Sequence, residues 1–182
     1  MSRIKGITII TIVLGVIIVG FIELSDQPSK HNFMKSELNK IEHYLIHRDS
    51  LNKEVSKVAV AWHLDHSLKV INKIYDSLKD SNPDMYKNKF STARTLSFTF
   101  GYIPRGKAAA PLSVQPPDTI MTADIVSQLV EAREKVRKIE SLDDQSNFKH
   151  PVFGQLNKKQ TKRFLKVHTK HHLKIVKGIL NE

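Results

Sequence analysis

Asn157–Leu180 reads NKKQTKRFLKVHTKHHLKIVKGIL, and the reading of this stretch decides the fold. Asn157 and Gln160 stand in the N-cap and N3 relation of a capping box, which sets the start of a helix. From there to Leu180 the apolar residues recur with a helical period. At about 100° per residue, Phe164, Leu165, Ile175, Val176 and Ile179 form one stripe, and His168 and His172 fall inside it. His171 lies at the edge of the stripe. Lys158, Lys159, Lys162, Arg163, Lys166, Lys170, Lys174 and Lys177 crowd the opposite face. The stretch therefore predicts a long amphipathic helix that turns two imidazoles toward a core.

Two histidines at i and i+4 point the same way one turn apart, which suits neighbouring positions on one metal ion. Burying them unpaired is costly, since each neutral ring has a nitrogen that needs a partner. A third donor is expected from a facing helix. WHLDHS, Trp62–Ser67, supplies two candidates. The apolar arc of that helix is set by Val60, Leu64, Val70, Ile71, Ile74 and Leu78; His63 falls within it, whereas His66 falls toward the polar side. Spacing thus selects His63, His168 and His172 as metal ligands and places His66 outward. His31, His43, His47 and His150 read as surface or loop residues.

Working outward, the body shows helical periodicity throughout. A first helix is predicted from Phe33 to about His47, capped by Asn32, with Phe33, Leu38, Ile41 and Leu45 as its apolar side. A second runs from after Ser56 to about Lys79 and ends in the turn-like DSNPD. A third covers about Ala123 to Ser141, and the fourth about Lys158 to Leu180. Four amphipathic helices imply an all-α four-helix bundle. The segment from about Phe90 to Thr122 is longer than most connections, so it either packs on the bundle or belongs to a site.

Within that segment GYIPRGKA, Gly101–Ala108, matches the phosphate-loop spacing G-x-x-x-x-G-K, and the preceding TLSFTF could serve as its strand. The match fails at the last position. Ala108 replaces the hydroxyl residue that would hold magnesium, Pro104 removes an amide donor, and Pro111 interrupts any long following helix. A basic loop tip at Arg105 and Lys107 is the plainer reading.

The N-terminus, MSRIKGITIITIVLGVIIVGFIELSDQ, carries no charge from Gly6 to Ile22. That run is near the lower limit for spanning about 30 Å of hydrocarbon. Arg3 and Lys5 precede it, and Glu23 and Asp26 follow, a bias that predicts a cytoplasmic N-terminus and an extracytoplasmic body. No small-x-small cleavage site follows the run, so an uncleaved anchor is favoured over a signal peptide. The expected organisation is a transmembrane anchor over residues 1–26 and a helical bundle over 27–182, a single-pass membrane protein.

The chain has 182 residues, 40% of them hydrophobic, enough for one domain with its own core. It contains no cysteine, so thiolate nucleophiles, disulfides, Cys-rich zinc sites and lipid attachment at cysteine are excluded. Any metal must rest on imidazole and carboxylate. A net charge of +11 raises nucleic acid as a partner. The lysines of the last helix, however, lack interleaved aromatics, and a solvated face, lying near anionic headgroups if the body is membrane-tethered, is preferred to a nucleic-acid surface.

Two motifs carry a family resemblance. HPVFGQLNKKQTKRFLKVHTKHHLKIV, His150–Val176, resembles the C-terminal signature of a DinB/YfiT-like branch, in which a His-Pro-x-Phe-Gly-x-Leu loop leads into a helix bearing His-x-x-His-His. AWHLDHSLKVI, Ala61–Ile71, is similar to that family's second-helix motif, a histidine followed four residues later by serine. Where the family often opens this helix with tryptophan and a hydroxyl residue, Val55 and Ser56 stand here. The resemblance implies a four-helix bundle of DinB/YfiT-like type holding one divalent ion, zinc, nickel, iron or manganese, on His63, His168 and His172. Relatives of that kind include metal-dependent thiol transferases and an isomerase.

Two functions of different class follow. One is a membrane-anchored, metal-dependent hydrolase or transferase acting on a small molecule, its ion keeping positions open for water or substrate. The other is a non-catalytic bundle in which the ion is structural or sensed. A structural zinc site is normally closed by four protein ligands, and only three good ones are found, which leans toward the enzyme. Export disfavours intracellular thiols as substrates. The sequence singles out no general base, His171 being the nearest uncommitted candidate, and it leaves the oligomeric state open, a dimer included.

Overall fold

The computed structural model describes residues 32–106 and 109–182. Among them are five α-helices and one small sheet: α1 (Lys35–His43), α2 (Val60–Lys79), α3 (Thr92–Phe100), α4 (Thr122–Lys138), the strands β1 (Asn147–His150) and β2 (Gly154–Asn157), and α5 (Lys158–Leu180). Short 3-10 turns extend α1 through His47 and α4 through Ser141. The helix α2 is central, packed against α4 on one side and α5 on the other, and α1 lies against both α4 and α5. Its position explains its composition. Leu64, Leu68, Ile71 and Leu78 are buried, and so are Asp65, His66, Ser67 and Asn72 from what a single-stripe helix would give to solvent.

The core is continuous across these helices. Met34, Leu38 and Ile41 beneath α1 meet Ile125, Leu129, Ala132 and Val136 of α4 and Leu165, Val176 and Ile179 of α5. Helix α1 starts at Lys35 with Met34 as its cap residue and no side-chain cap bond, so the expected start at Phe33 with Asn32 as cap is corrected. The Asn32 carbonyl does accept from the Lys35 amide. Helix α5 begins where the capping box places it: Asn157 accepts from the Gln160 amide, and the Gln160 side chain accepts from the Asn157 amide.

The expected all-α four-helix bundle of DinB/YfiT-like type is corrected on two counts. The first is a fifth helix, α3, inside the long connection. Ser91 caps it, accepting from the Arg94 amide, and Gly101 ends it at φ +62°, a left-handed conformation that glycine adopts without penalty. TLSFTF is therefore helix and not the strand of a phosphate loop. The short apolar run is ambiguous by period alone, and the Ser91 and Gly101 caps settle it.

The second correction is the hairpin. β1 and β2 pair antiparallel, with Phe148 opposite Leu156 and His150 opposite Gly154. The turn residues Pro151, Val152 and Phe153 are gathered by His150, whose Nδ1 accepts from the Val152 and Phe153 amides, both at 3.1 Å. Gly154 closes the turn at φ +74°. Arg94 of α3 is buried and binds the hairpin from outside, donating to the carbonyls of Phe153 and Gln155, and also to that of Lys89 just before α3. His150 is thus no loop ornament. Its ring stacks on Phe153 at 4.6 Å and meets Phe164 edge-on at 4.7 Å, and burial pushes it down to a pKa of about 4.

The single-pass membrane expectation is also corrected. Among the described residues no helix is long and apolar enough to cross a membrane. The two long helices fail because each keeps a charged face: Lys69, Lys73, Asp76 and Lys79 on α2 and the lysine row on α5. The run Gly6–Ile22, on which the anchor over residues 1–26 was placed, lies outside the described residues. With that expectation goes the argument that set thiol transfer below hydrolysis.

Gly154→Ala tests the hairpin. Nothing lies within 4 Å of the added Cβ, so the cost is conformational alone. A loss of about 1 kcal/mol in denaturant unfolding is expected, and no loss would contradict the left-handed turn.

Candidate metal centre

Four imidazoles converge where α2 crosses α5. His63 and His66 come from successive turns of α2, His168 and His172 from successive turns of α5. His63, His66 and His172 are buried, and His168 is partly exposed as a residue although its Nδ1 is enclosed. The ring centroids lie 4.6 Å apart for His168 and His172, 4.8 Å for His66 and His172, and 5.2 Å for His66 and His168. One ligand atom from each of His66, His168 and His172 lies within 4.8 Å of the other two, so these three histidines could hold a metal ion.

The sequence-selected residues are distributed as follows. His168 and His172 are both in the trio. His63 stands one step back, its Nδ1 3.0 Å from the Nδ1 of His172. His66 occupies the α2 position of the trio, although the apolar arc of α2 put it outside. The stripe fails there because α2 is sandwiched, and a second buried face carries His66 and Asp65 inward. Asp65 turns to α4, where it accepts from Gln128 at 2.7 Å, and it pairs with Lys69 of its own helix at 2.6 Å. The signal that could have marked His66 is Trp62, which stacks on it at 4.9 Å.

The hydrogen bonds orient the rings. His66 Nδ1 lies 2.8 Å from the Val114 carbonyl, which can only accept, so Nδ1 carries the proton and Nε2 keeps its lone pair. Val114 sits in a 3-10 turn of the long connection, so that segment both packs on the core and builds the site. His63 Nε2 lies 3.0 Å from Ser56 Oγ, whose single hydrogen goes to the Val58 carbonyl at 2.9 Å. Nε2 of His63 therefore donates, and its Nδ1 accepts from Nδ1–H of His172. The Nε2 of His172 is left with a free lone pair. This relay resembles the outer partners that fix tautomer and orientation in histidine metal sites.

A metal is tested most directly by His168, whose enclosed Nδ1 has no hydrogen-bond partner. An uncharged imidazole nitrogen without a donor facing it is a cost that a cation removes. The donor set, imidazole alone, suits zinc, nickel or iron. Burial also keeps the cluster neutral, as coordination requires. It lowers His63 to about 4, and repulsion from Arg105 and from any protonated His66 or His171 acts in the same direction. It holds His168 and His172 well below the ordinary imidazole value, and lowers His66 against the pull of the Val114 carbonyl.

Residues 89–178 match the model of a family described as Protein of unknown function (DUF1569). No curated protein and no solved structure matches the chain. The DUF1569 match takes in α3, α4, the hairpin and most of α5 with His168, His171 and His172, and leaves α2 outside. It does not place the chain in the DinB/YfiT superfamily.

The metal-free protein should lose stability on acidification. His63 and His150 have folded pKa values of about 4 against about 6.5 unfolded, so between these values the unfolded chain binds more protons. Stability from these groups is complete above about pH 6.5 and falls as pH drops toward 4. A chelator-treated sample should melt about 5 °C or more lower at pH 5 than at pH 7.5. An unchanged melting temperature would contradict the buried, neutral cluster.

Proposed function

We propose that this protein binds one divalent metal ion through His66, His168 and His172 and uses it on a small molecule, in hydrolysis or group transfer. The observation that carries the proposal is the convergence of three imidazoles, two of which have lone pairs freed by relays running away from the centre. Three protein ligands leave coordination positions for water or a substrate atom, whereas structural zinc is normally closed by four. Such an ion acidifies a bound water or polarises a bound carbonyl. The chain's own part is to hold the rings neutral, fix their tautomers and keep the site in a hydrophobic wall formed by Trp62 and Phe164, which packs on His168 at 5.3 Å.

A second ligand set, His63 with His168 and His172, is favoured by one distance. The 3.0 Å between the Nδ1 atoms of His63 and His172 is close to the separation of about 3.3 Å expected for two nitrogens sharing one tetrahedral zinc. The DinB/YfiT-like motif, in which His63 precedes Ser67 by four residues, supports the same set.

Elemental analysis of loaded variants separates the two. His168→Ala and His172→Ala should remove most bound metal in either case. With His66 as ligand, His66→Ala joins them, and His63→Ala weakens affinity only about 10-fold to 100-fold by loosening His172. The reverse order would assign His63. A wild type that retains none of zinc, nickel, iron or manganese overturns both.

A further inference from the structure

Beside the histidine cluster, on the side of His171, lies a cleft of about 670 Å³ between α5 and the loop that follows α3. Two kinds of side chain line it. Three are cations, Arg105 from the loop and Lys170 and Lys174 from successive turns of α5. Among the described residues lining it there is no carboxylate; the one ion pair any of the three makes is Lys170 with Glu37, at 3.8 Å. The end of α3 and the loop also contribute Phe100 and Tyr102, 75% and 57% exposed, large apolar side chains that the core does not use. Cations and exposed aromatics lining one concave surface make a site for a molecule that is charged at one end and apolar along its body.

The cleft is built and not a chance gap. Arg163 of α5 donates from Nε to the Phe98 carbonyl at 2.9 Å, pinning the end of α3 to α5. Gly101 turns the chain sharply there, and Arg105 reaches the Val55 carbonyl at 3.4 Å, next to the Ser56 that anchors His63. The cleft also adjoins the metal centre, because His171 lines it while its ring meets that of His172 edge-on at 5.1 Å.

We propose that this cleft binds the anionic end of a small organic molecule, a carboxylate or a phosphate ester, held by Arg105 and Lys174 with its apolar body against Phe100 and Tyr102. A guanidinium forks onto two anionic oxygens and an ammonium adds a point charge, so the pair recognises either group. The anion site stands on the cleft alone. Only the further step, that the bound molecule is what the metal acts on, rests on the metal reading above.

The test uses the full chain loaded with zinc and three probes: phenyl phosphate, benzoate and inorganic phosphate, with binding followed by calorimetry. The aryl anions should bind more tightly than inorganic phosphate, and the tighter of the two names the preferred group. Arg105→Gln with Lys174→Gln should weaken aryl-anion binding about tenfold in a chain that still folds and loads zinc. Tyr102→Ala should weaken phenyl phosphate several-fold and leave inorganic phosphate unaffected. Lys159→Gln, an exposed lysine of α5 remote from the cleft, controls for general charge and should change nothing. Equal loss at Lys159→Gln, or wild-type affinity in the Arg105 and Lys174 double variant, overturns the proposal. Aryl anions bound by a chain that retains no zinc would uphold the cleft and remove the metal reading alone.

Discussion

The contact between Nδ1 of His63 and Nδ1 of His172 joins the two central helices where neither presents a purely apolar surface. Two lone pairs cannot face each other at 3.0 Å, so one ring must donate. The direction is set from outside, by the Ser56 hydroxyl and the Val58 carbonyl at the entry to α2. From this follow the tautomer of His172, the aim of its second nitrogen, and the need for neutral rings throughout the cluster. Packing α2 against α5 without such a relay would leave buried imidazole nitrogens unpartnered.

The rest of the molecule closes around that crossing. The connection from α2 to α4, long for a compact domain, supplies the Val114 carbonyl to His66 and the cleft wall beside His171. The hairpin before α5 carries His150 and Phe153 onto Phe164, and Phe164 packs on His168, so the aromatic cluster and the histidine cluster share a wall. Arg94 ties α3 to that hairpin through the carbonyls of Phe153 and Gln155. Chemistry and scaffold are therefore not separable here, and substitutions at His150 or Arg94 would reach the centre through Phe164.

What the sequence made legible was local. The Asn157 and Gln160 capping box started α5 at the right residue because both bonds are made within one turn. His168 and His172 were readable because they fall within the apolar stripe of α5, although Val167, Thr169 and Leu173 outside that stripe are buried too. His66 was not, since α2 is covered on two sides and periodicity assumes one buried face. α3 was missed because its short apolar run has no decisive period, and the hairpin because a three-residue turn held by a histidine ring leaves no ordinary turn signature. The DinB/YfiT-like motifs fall on histidines that helical periodicity selects by itself, yet the surrounding architecture is not the simple four-helix bundle they suggested.

The central claim is a pattern of protons on four rings, and nitrogen-15 NMR of the histidines in metal-free protein at pH 7.5 reads it directly. Every ring of the cluster should be neutral, with His66 and His172 protonated at Nδ1 and His63 protonated at Nε2. Addition of zinc should then shift the unprotonated nitrogens of His66, His168 and His172 and leave the His63 Nε2–H in place. A His172 protonated at Nε2, or charged imidazolium rings at this pH, would contradict the relay and the account built on it.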